Sequence, residues 1–464
     1  MSKRTYKPDF FILISSIVLL LVQIVISNEI AFRTGWDPDA VFRGAEDAFL
    51  GEKEAMNGMV GYFSQYPNNL FITGLFKGIM REELALGLSI DRYFLLIYVQ
   101  CILLTLTGIV VYKVSRYYMS KTESRISYCI YVVVAGLSGW MVIPYTDSFG
   151  ILFPVLILFF YILYLRSERK NVFFLFMLGV TGFIGFFIKP TAFIVFIAVC
   201  FIDGIYCIRR LKDYDMSKLM IRILVLTISI ALSFLIKWKV VQGTGYDIDK
   251  EARFGVAHFL MMGLNVESEG GWSEHDMLFS SGFLTNKERD IADFEEDLSR
   301  IKEMGFTGIL TMVYKKTLRT YSDGLFGFGD ISAIYQYPQR DSIICSLSRK
   351  WYGGPGFGHS VLFTIHRISS DIIWYMVLAG SMVTVLFVKW RKDSLEKKVL
   401  VLSILGFALY ELLFEVHPRY VFVVIPIFVV SSVYGYVSAF NYLNKKLKEK
   451  GMGSWERKKI IKYQ

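Results

Sequence analysis

Charged side chains are scarce in this 464-residue chain, at 20% of residues, whereas apolar side chains make up 54%. Ordinary soluble domains have about 25% charged residues and a slightly lower apolar content. The difference matters because the apolar residues are gathered in long blocks, and residues 10–27 contain no charge at all. Such a block is long enough to cross most of the ~30 Å hydrocarbon core of a bilayer as a helix. The composition therefore predicts an integral membrane protein.

Cysteine and short catalytic motifs are sparse as well. The five cysteines form neither a disulfide framework nor a metal-ligand spacing, and no HExxH, CxxC or Ser-His-Asp order is present. The glycine-rich run at 353–359 lacks the Lys-Ser/Thr ending of a nucleotide-binding loop and is interpreted as a turn. The net charge of +10 would favour a nucleic-acid partner for a soluble protein, but the basic residues lie between apolar blocks. The positive-inside rule explains them better, so we expect no nucleic-acid partner.

Ten apolar blocks are predicted to span the membrane. They cover residues 10–27, 91–112, 126–143, 149–165, 172–188, 191–208, 221–238, 370–389, 398–414 and 420–438. The first block follows basic residues, as the apolar part of a signal peptide does, but it exceeds the usual ~7–15 residues and no small-x-small cleavage site follows it. It is therefore interpreted as a retained span. The predicted fold class is an all-α polytopic membrane protein.

Basic residues predict the orientation of these spans. Lysine and arginine are concentrated in the C-terminal tail and in alternate connections, at 113–125, 166–170, 209–220 and 390–397. The other short turns carry few basic residues. Both termini are therefore expected in the cytoplasm, and the protein in a plasma membrane.

This orientation divides the chain into three parts. Residues 1–238 form an N-terminal membrane module whose long first loop, 28–90, is extracytoplasmic. Residues 239–369 form an extracytoplasmic subdomain, and residues 370–464 hold the C-terminal membrane helices and a basic tail. The subdomain is predicted to be helical because apolar residues recur in it at helical spacing, at Ile291, Phe294, Leu298 and Ile301. All five histidines fall outside or at exterior helix ends, so function is expected on this side.

The first exterior loop contains two acids, Asp37 and Asp39, separated by Pro38. Such carboxylates suit a general base for a hydroxyl group, or ligands of a divalent cation. The alternative is that Asp-Pro-Asp only opens a helix, with an aspartate as its N-cap. Taken alone, the spacing favours this alternative.

Three short exterior turns place further polar side chains at one membrane depth. They are Tyr145, Thr146 and Asp147 in IPYTDSFG, Lys189 in IKPTAF, and Glu415, His417, Arg419 and Tyr420 in FEVHPRYVF. Each residue alone is better explained by snorkelling or helix capping. Together they supply the acids and cations needed to hold an anionic lipid headgroup beside a carboxylate base.

This layout resembles the GT-C superfamily of membrane glycosyltransferases, and within it the protein O-mannosyltransferases and the aminoarabinose transferase of lipid A. The matching features are the acids after the first span, the segment YFSQYPNN, the YTD turn at 145–147 and the HPRY turn at 417–420. The acids also depart from the pattern, because Asp37-Pro-Asp39 is not the Asp-Glu pair of the O-mannosyltransferases. Which acid would be catalytic stays open.

The resemblance implies transfer of a sugar from a polyprenyl-phosphate donor to a cell-surface glycan, lipid or protein, with inversion at the anomeric carbon. Asp37 or Asp39 would be the base. The residues assigned to the donor phosphate are Lys189, His417 and Arg419. The other pocket residues would be Tyr66, Tyr145, Asp147 and Tyr420. The sequence requires no cofactor, and a divalent cation held by the acid pair is one option. Short loops and the lack of an Asn-x-Ser/Thr sequon favour a bacterial plasma membrane.

Two other functions stay open from the sequence. A surface polysaccharide polymerase or ligase would act on lipid-diphosphate donors through arginine and histidine of the larger exterior segment, here His258, Arg253 and Arg319. The acidic first loop would then have no evident task. A non-catalytic lipid or glycan transporter usually has charges or broken helices near mid-membrane, in paired repeats. The sequence shows no mid-span charge and no internal repeat.

Overall fold

The structure is a computed structural model that describes residues 9–167, 171–209, 215–334, 341–353 and 360–449. The N-terminal basic residues before this range, the tail after residue 449 and most of the glycine-rich turn at 353–359 lie outside the described residues. Within the described part all regular secondary structure is helical, as the composition predicts.

The first half of the chain forms eleven α-helices among the described residues. They are α1 (Phe10–Ile30), α2 (Asp37–Leu50), α3 (Lys53–Gln65), α4 (Leu70–Ala85), α5 (Arg92–Tyr118), α6 (Lys121–Tyr131), α7 (Thr146–Gly150), α8 (Leu152–Arg166), α9 (Val172–Ile188), α10 (Ile194–Arg209) and α11 (Met216–Gln242). Short 3-10 helices precede α4 and α10, at Pro67–Asn69 and Pro190–Phe193. Helices α2 to α4 fold the first loop into a helical layer above the membrane spans.

The second half begins with the segment 239–369, for which an extracytoplasmic subdomain is predicted and which we call the exterior subdomain, and continues with apolar helices. Its helices are α12 (Val256–Gly263), α13 (Glu274–Ser281), α14 (Asn286–Tyr321), α15 (Phe328–Ile334), α16 (Ile343–Tyr352), α17 (Val361–Phe387), α18 (Leu395–Leu413) and α19 (Ile425–Glu449). A 3-10 helix, Pro418–Val424, leads into α19. Helix α14 is kinked at Gly305, where φ is 54°.

Seven helical segments of the described chain are long and apolar enough to span a membrane. They are Phe10–Ile30, Arg92–Tyr118, Thr146–Arg166, Pro190–Arg209, Met216–Gln242, Val361–Phe387 and Pro418–Leu447. Helix α9 is apolar but has only 17 residues. Helix α18 lies where a span is predicted, although it contains several charged residues. Seven of the ten predicted spans thus match these long helices, and an eighth matches the shorter helix α9. Helix α18 lies at the position of the ninth.

The prediction of one continuous span over 126–143 is wrong. Helix α6 ends at Tyr131, a π-helix covers Val132–Gly136, and a 3-10 helix covers Gly139–Val142. The break is stabilised by protein contacts, since the amide of Gln100 and the indole N–H of Trp140 bond to backbone carbonyls, those of Trp140 and Phe326. Irregular backbone at membrane depth is tolerated where protein surrounds it. This break positions the turn that carries Tyr145 and Asp147.

Close helix packing in the second half depends on small residues. A Cβ on Gly435 of α19 would overlap the carbonyl oxygen of Gly380 in α17, so the two backbones are nearly in contact there. The hydroxyls of Ser381 and Thr384 donate to carbonyl oxygens of α19 at 2.9 and 2.6 Å. Small residues and interhelical hydrogen bonds stabilise helix pairs in lipid, where burial of apolar surface provides little driving force.

The exterior subdomain is attached to the membrane helices by the buried ammonium of Lys316 in α14. Its Nζ donates to the carbonyl oxygens of Gly263, Leu412 and Phe414 at 2.7–2.9 Å. Two of these carbonyls lie at the C-terminal end of α18, where a helix leaves carbonyl groups unpaired and carries negative partial charge. This contact fixes the position of the turn that follows α18, which contains His417 and Arg419.

Candidate functional site

Asp37 is the first residue of α2, and its carboxylate is held at the centre of an aromatic site. Tyr62 donates a hydrogen bond to Oδ1 at 3.1 Å, and Tyr145 donates to Oδ2 at 3.4 Å. Burial, together with the nearby Asp37 charge, raises the pKa of both tyrosines well above the usual value, so their hydroxyls stay protonated and donate. The Asp37 side chain is still 38% exposed. A substrate hydroxyl therefore has access to it.

Asp39 has a different environment, although it is only two residues further along the same helix. Its side chain is 5% exposed, and its two oxygens are ion-paired with Nε of Arg33 and Nε of Arg43, each at 2.7 Å. Both oxygens are thus occupied, which leaves Asp39 poorly suited to accept a substrate proton. The helix does begin at Asp-Pro-Asp, but the N-cap is Trp36, and neither acid is the cap.

The acid pair does not fit a divalent cation. Two carboxylates that ligate one metal ion must direct oxygens to a common point, whereas both oxygens of Asp39 are bonded to guanidinium groups. In the part of the chain that the structure describes, no group of three His, Cys, Asp or Glu side chains is arranged to hold a metal.

Arg419 lies beside Asp37, with its guanidinium 3.8 Å from Oδ2. The guanidinium is stacked over the ring of Trp36 at 4.1 Å and lies within 5.5 Å of the rings of Tyr145 and Tyr420. It is about nine-tenths buried, and within the described residues its Nε has no hydrogen-bond partner. A buried cation with an unused donor can receive an anion, and the planar fork of arginine suits phosphate.

Lys189 lies nearby but already has an ionic partner. Its Nζ is 2.8 Å from Oδ1 of Asp147, whose side chain is fully buried, and it lies 4.4 Å from the ring centre of Tyr420. The predicted phosphate-binding cation and a predicted pocket acid thus neutralise each other. A direct role of Lys189 on the donor phosphate stays a prediction.

His417 is a neutral hydrogen-bonding group. Burial and the neighbouring cations Arg419, Arg319 and Lys189 hold the pKa of its imidazole well below the usual value. Its Nδ1 accepts a hydrogen bond from the backbone N–H of Arg419 at 3.2 Å, which assigns the remaining ring proton to Nε2. Tyr420, in the same turn, donates to Glu415 at 3.0 Å.

Tyr66 forms one wall of the site. Its ring lies 5.4 Å from the ring of Tyr62 and 5.3 Å from that of Phe254. Burial raises the pKa of Tyr66, and the charges of Asp37 and Glu415 add to this shift. The structure thus brings together the predicted residues of the first loop and those of the three short turns, except that Asp39 is directed to its own arginines.

Three residues of the site are absent from the sequence-based set of polar residues. They are Trp36, Tyr62 and Asn69. Asn69 donates to the Tyr62 hydroxyl at 2.6 Å and so orients it toward Asp37. Each of the three lies within four residues of a predicted site residue, and proximity to those motifs was the only sequence signal for them.

A cavity of about 410 Å³ lies next to this site, and we call it the cationic basin. Its lining residues are Pro67, Asn68, Phe186, Phe187, Pro190, Lys237, Ile248, Lys250, Arg253 and Asn286. Its three charged side chains are all basic, and Lys237 lies 4.9 Å from the ring centre of Phe187. Pro190 directly follows Lys189, and Asn68 precedes Asn69, so the basin shares two chain segments with the Asp37 site.

The three residues proposed for a polymerase or ligase have separate environments. His258 is fully buried, shares a 2.7 Å hydrogen bond with Ser280, and burial lowers its pKa to about 4. Arg319 donates to the carbonyl oxygen of Ser268, and its charge acts on His417. Arg253 is exposed in the cationic basin.

A family of proteins described as "conserved hypothetical integral membrane protein" matches residues 5–440. The chain belongs to this family. Membership agrees with the apolar helices of the fold and establishes an integral membrane protein. No curated protein matches the chain.

Solved structures that are similar to the chain include the following three. The archaeal oligosaccharyltransferase AglB from Archaeoglobus fulgidus, in complex with an inhibitory peptide and a dolichol-phosphate, is 14% identical with a TM-score of 0.45, and the match covers 96% of this chain and 53% of AglB. The apo form of the A. fulgidus oligosaccharyltransferase is 12% identical with a TM-score of 0.43, and the match covers 95% of this chain and 52% of that protein. ArnT from Cupriavidus metallidurans, bound to undecaprenyl phosphate, is 11% identical with a TM-score of 0.34, and the match covers 92% of this chain and 77% of ArnT.

The chain spans about half the length of the archaeal oligosaccharyltransferase.

Proposed function

We propose that the protein is a membrane glycosyltransferase that moves a sugar from a polyprenyl-phosphate donor to a cell-surface acceptor, with Asp37 as general base. The observation that carries this proposal is one accessible carboxylate, oriented by two tyrosine hydroxyls and placed beside a buried arginine with an unused donor. We place the site on the extracytoplasmic side, as the distribution of basic residues predicts.

In the proposed reaction Asp37 accepts the proton of an acceptor hydroxyl. The hydroxyl oxygen then attacks the anomeric carbon, and the bond from that carbon to the phosphate oxygen breaks, with inversion of configuration. The electron pair leaves with the phosphate, which remains on the polyprenyl chain as a monoester. A positioned general base typically contributes 10²–10⁴-fold to a rate.

Arg419 supplies the charge that the leaving phosphate requires. Its guanidinium is held by stacking on Trp36 rather than by a strong ion pair, because the distance to Asp37 is 3.8 Å. A preorganised cation in a desolvated site stabilises charge that develops in the transition state.

The cationic basin supports a lipid-linked anion as the donor. Phe186 and Phe187, at the end of α9, give it an apolar side, and Lys237, Lys250 and Arg253 give it positive charge. A polyprenyl phosphate combines an apolar chain with an anionic head and so matches both surfaces. A nucleotide sugar has no apolar chain to bury there.

The test uses the full chain in proteoliposomes with three donors that carry the same labelled sugar: polyprenyl monophosphate, polyprenyl diphosphate and a nucleotide. Cell-envelope extract supplies the acceptors, and transfer of label to non-lipid product is measured. We expect transfer from the monophosphate only. Transfer from the diphosphate alone would indicate a polymerase or ligase, and no transfer from either lipid donor would refute the proposal.

A further inference from the structure

A second cavity, of about 590 Å³, is lined in part by His417 and Pro418 of the HPR turn, and we call it the α15 cleft. Its polar lining includes Arg319, Asp323, Asp330, Arg367 and His417. Its volume is in the range of small-molecule sites. Because His417 lines it and Arg419, two residues later, is ion-paired with Asp37, the cleft adjoins the candidate active site.

The charges of the α15 cleft differ from those of the cationic basin. Two arginines, Arg319 and Arg367, are balanced by two aspartates, Asp323 and Asp330, whereas all three charges of the basin are positive. A balanced lining gives an anion no net attraction. It supplies instead both acceptors and donors, which is what a neutral ligand with many hydroxyl groups requires.

Glycine and aromatic residues complete this lining. Gly327 and Gly353 have φ of 79° and 86°, a conformation that favours glycine, and both are buried, with their N–H groups bonded to Asp323 and to the carbonyl oxygen of Arg349. Phe363, which is 9% exposed, adds apolar surface to the lining. Asp323 is partly engaged, since it accepts N–H bonds from Leu325 and Gly327, so Asp330 is the more available acid.

His417 connects the cleft with the reaction. Its Nδ1 is used by the backbone N–H of Arg419, so its Nε2–H is the ring donor that remains for a ligand. We propose that the α15 cleft binds the acceptor, that this acceptor is a neutral sugar, and that His417 orients an acceptor hydroxyl toward Asp37. This inference rests on the proposed function, and it assigns the two substrates to two separate cavities.

The test is photo-crosslinking on the full chain in nanodiscs, with cross-linked peptides located by mass spectrometry. One probe is a neutral methyl glycoside carrying a diazirine, and the other is undecaprenyl phosphate carrying a diazirine. We expect the glycoside to label segments 319–332 and 361–367, and the lipid phosphate to label 186–190 and 237–253.

The variant Asp330→Asn/Arg367→Ala removes one exposed acid and one exposed cation of the cleft. Loss of several hydrogen bonds should lower glycoside labelling about tenfold, with lipid-phosphate labelling unchanged. The matched control is Glu295→Gln/Lys302→Ala, which removes the same two charges from the exposed side of α14 and should change neither.

Glycoside labelling outside the cleft, or labelling that the cleft variant leaves intact, would overturn the acceptor site. Labelling of the cleft by the lipid phosphate would overturn it as well. These results are separable from failure of the proposed function, since transfer from the monophosphate donor is measured independently. A cleft that is labelled as expected in a protein that transfers no sugar would refute the glycosyltransferase and keep the neutral-sugar site.

Discussion

Asp37 and Asp39 show how backbone geometry separates two acids that are nearly adjacent in sequence. On a helix, residues two positions apart do not face each other. Asp39 therefore turns to Arg33 and Arg43, while Asp37 faces Tyr62 and Tyr145. The sequence predicted that the two acids matter as a pair. The sequence did not show which of the two acids is accessible, because tertiary packing decides whether arginines or tyrosines surround each carboxylate.

For Arg419 we expect that replacement by lysine lowers kcat about 10²-fold, in the range found when one transition-state donor is removed. Lysine retains the charge but lacks the planar group that stacks on Trp36 and forks toward an anion. The measurement is sugar transfer in proteoliposomes. Unchanged kcat in a variant that inserts normally would remove Arg419 from the mechanism.

Lys189 and Asp147 are expected to act first as a structural pair. Lys189→Met leaves a fully buried carboxylate without its cation, which typically costs about 3–5 kcal/mol. The double variant Lys189→Met/Asp147→Asn should recover most of this stability, as measured by thermal unfolding in detergent.

The transfer rate of the double variant then separates the two roles of Lys189. A stable but inactive double variant would support direct contact with the donor phosphate. Equal melting temperatures of the single variant and the wild-type protein would contradict the structural pairing.

At the scale of elements, α14 forms as its periodicity predicts, but its apolar stripe lies outside. Ile291, Phe294 and Leu298 are exposed, whereas Asp293 and Asp297 are buried. The periodicity identifies a helix and not the direction of each face. The buried carboxylates are close to Arg300, Glu296 and Asp276, and Asp276 is paired with Arg300 at 2.8 Å.

This buried acidic face predicts a pH dependence of stability. Burial raises the pKa of Asp297 to about 7 and that of Asp293 to about 6, above the ordinary value of 3.8. At these two carboxyls the folded state then binds more protons than the unfolded state between about pH 4 and 7, so their contribution to stability falls as the pH rises through this window.

Thermal unfolding of the wild-type protein and of Asp297→Asn at pH 5 and pH 8 isolates this contribution from that of the buried neutral histidines His258 and His417, which acts in the opposite direction. We expect Asp297→Asn to raise the melting temperature more at pH 8 than at pH 5. An equal effect at both pH values would show that the Asp297 carboxyl does not cause the dependence.

The break after α6 illustrates a limit of hydropathy at the same scale. The run over 126–143 is apolar enough to be read as one span, yet it is surrounded by protein, with Trp140 and Tyr131 fully buried. Hydropathy does not distinguish a lipid environment from a protein interior. Only the small residues Gly136, Ser138 and Gly139 signal the interruption.

For the whole molecule, the contacts agree with the predicted alternation of loops. Asp9 pairs with Arg125, and Arg166 pairs with Glu396, all in or beside segments assigned to the cytoplasmic side. The loops assigned to the other side meet around Asp37. Span length and the clustering of basic residues are local properties that can be read from sequence, and the side of the membrane on which each set of loops lies stays a prediction.

The orientation itself leads to a labelling prediction. In a background with all five cysteines replaced, Lys302→Cys should react with a membrane-impermeant maleimide on intact cells. Lys392→Cys should react only after permeabilisation. Both residues are exposed, so burial does not limit either reaction. The opposite pattern would invert the topology and place the Asp37 site in the cytoplasm.

The most direct test of the central claim compares Asp37→Asn with Asp39→Asn in the same proteoliposome transfer reaction. We expect Asp37→Asn to lower kcat about 10³-fold without a loss of thermal stability, because it removes a general base. Asp39→Asn should lower stability by about 1–2 kcal/mol through weaker bonds to its arginines and should keep kcat within about tenfold. Full activity of Asp37→Asn, or a greater loss of kcat in Asp39→Asn, would contradict the account.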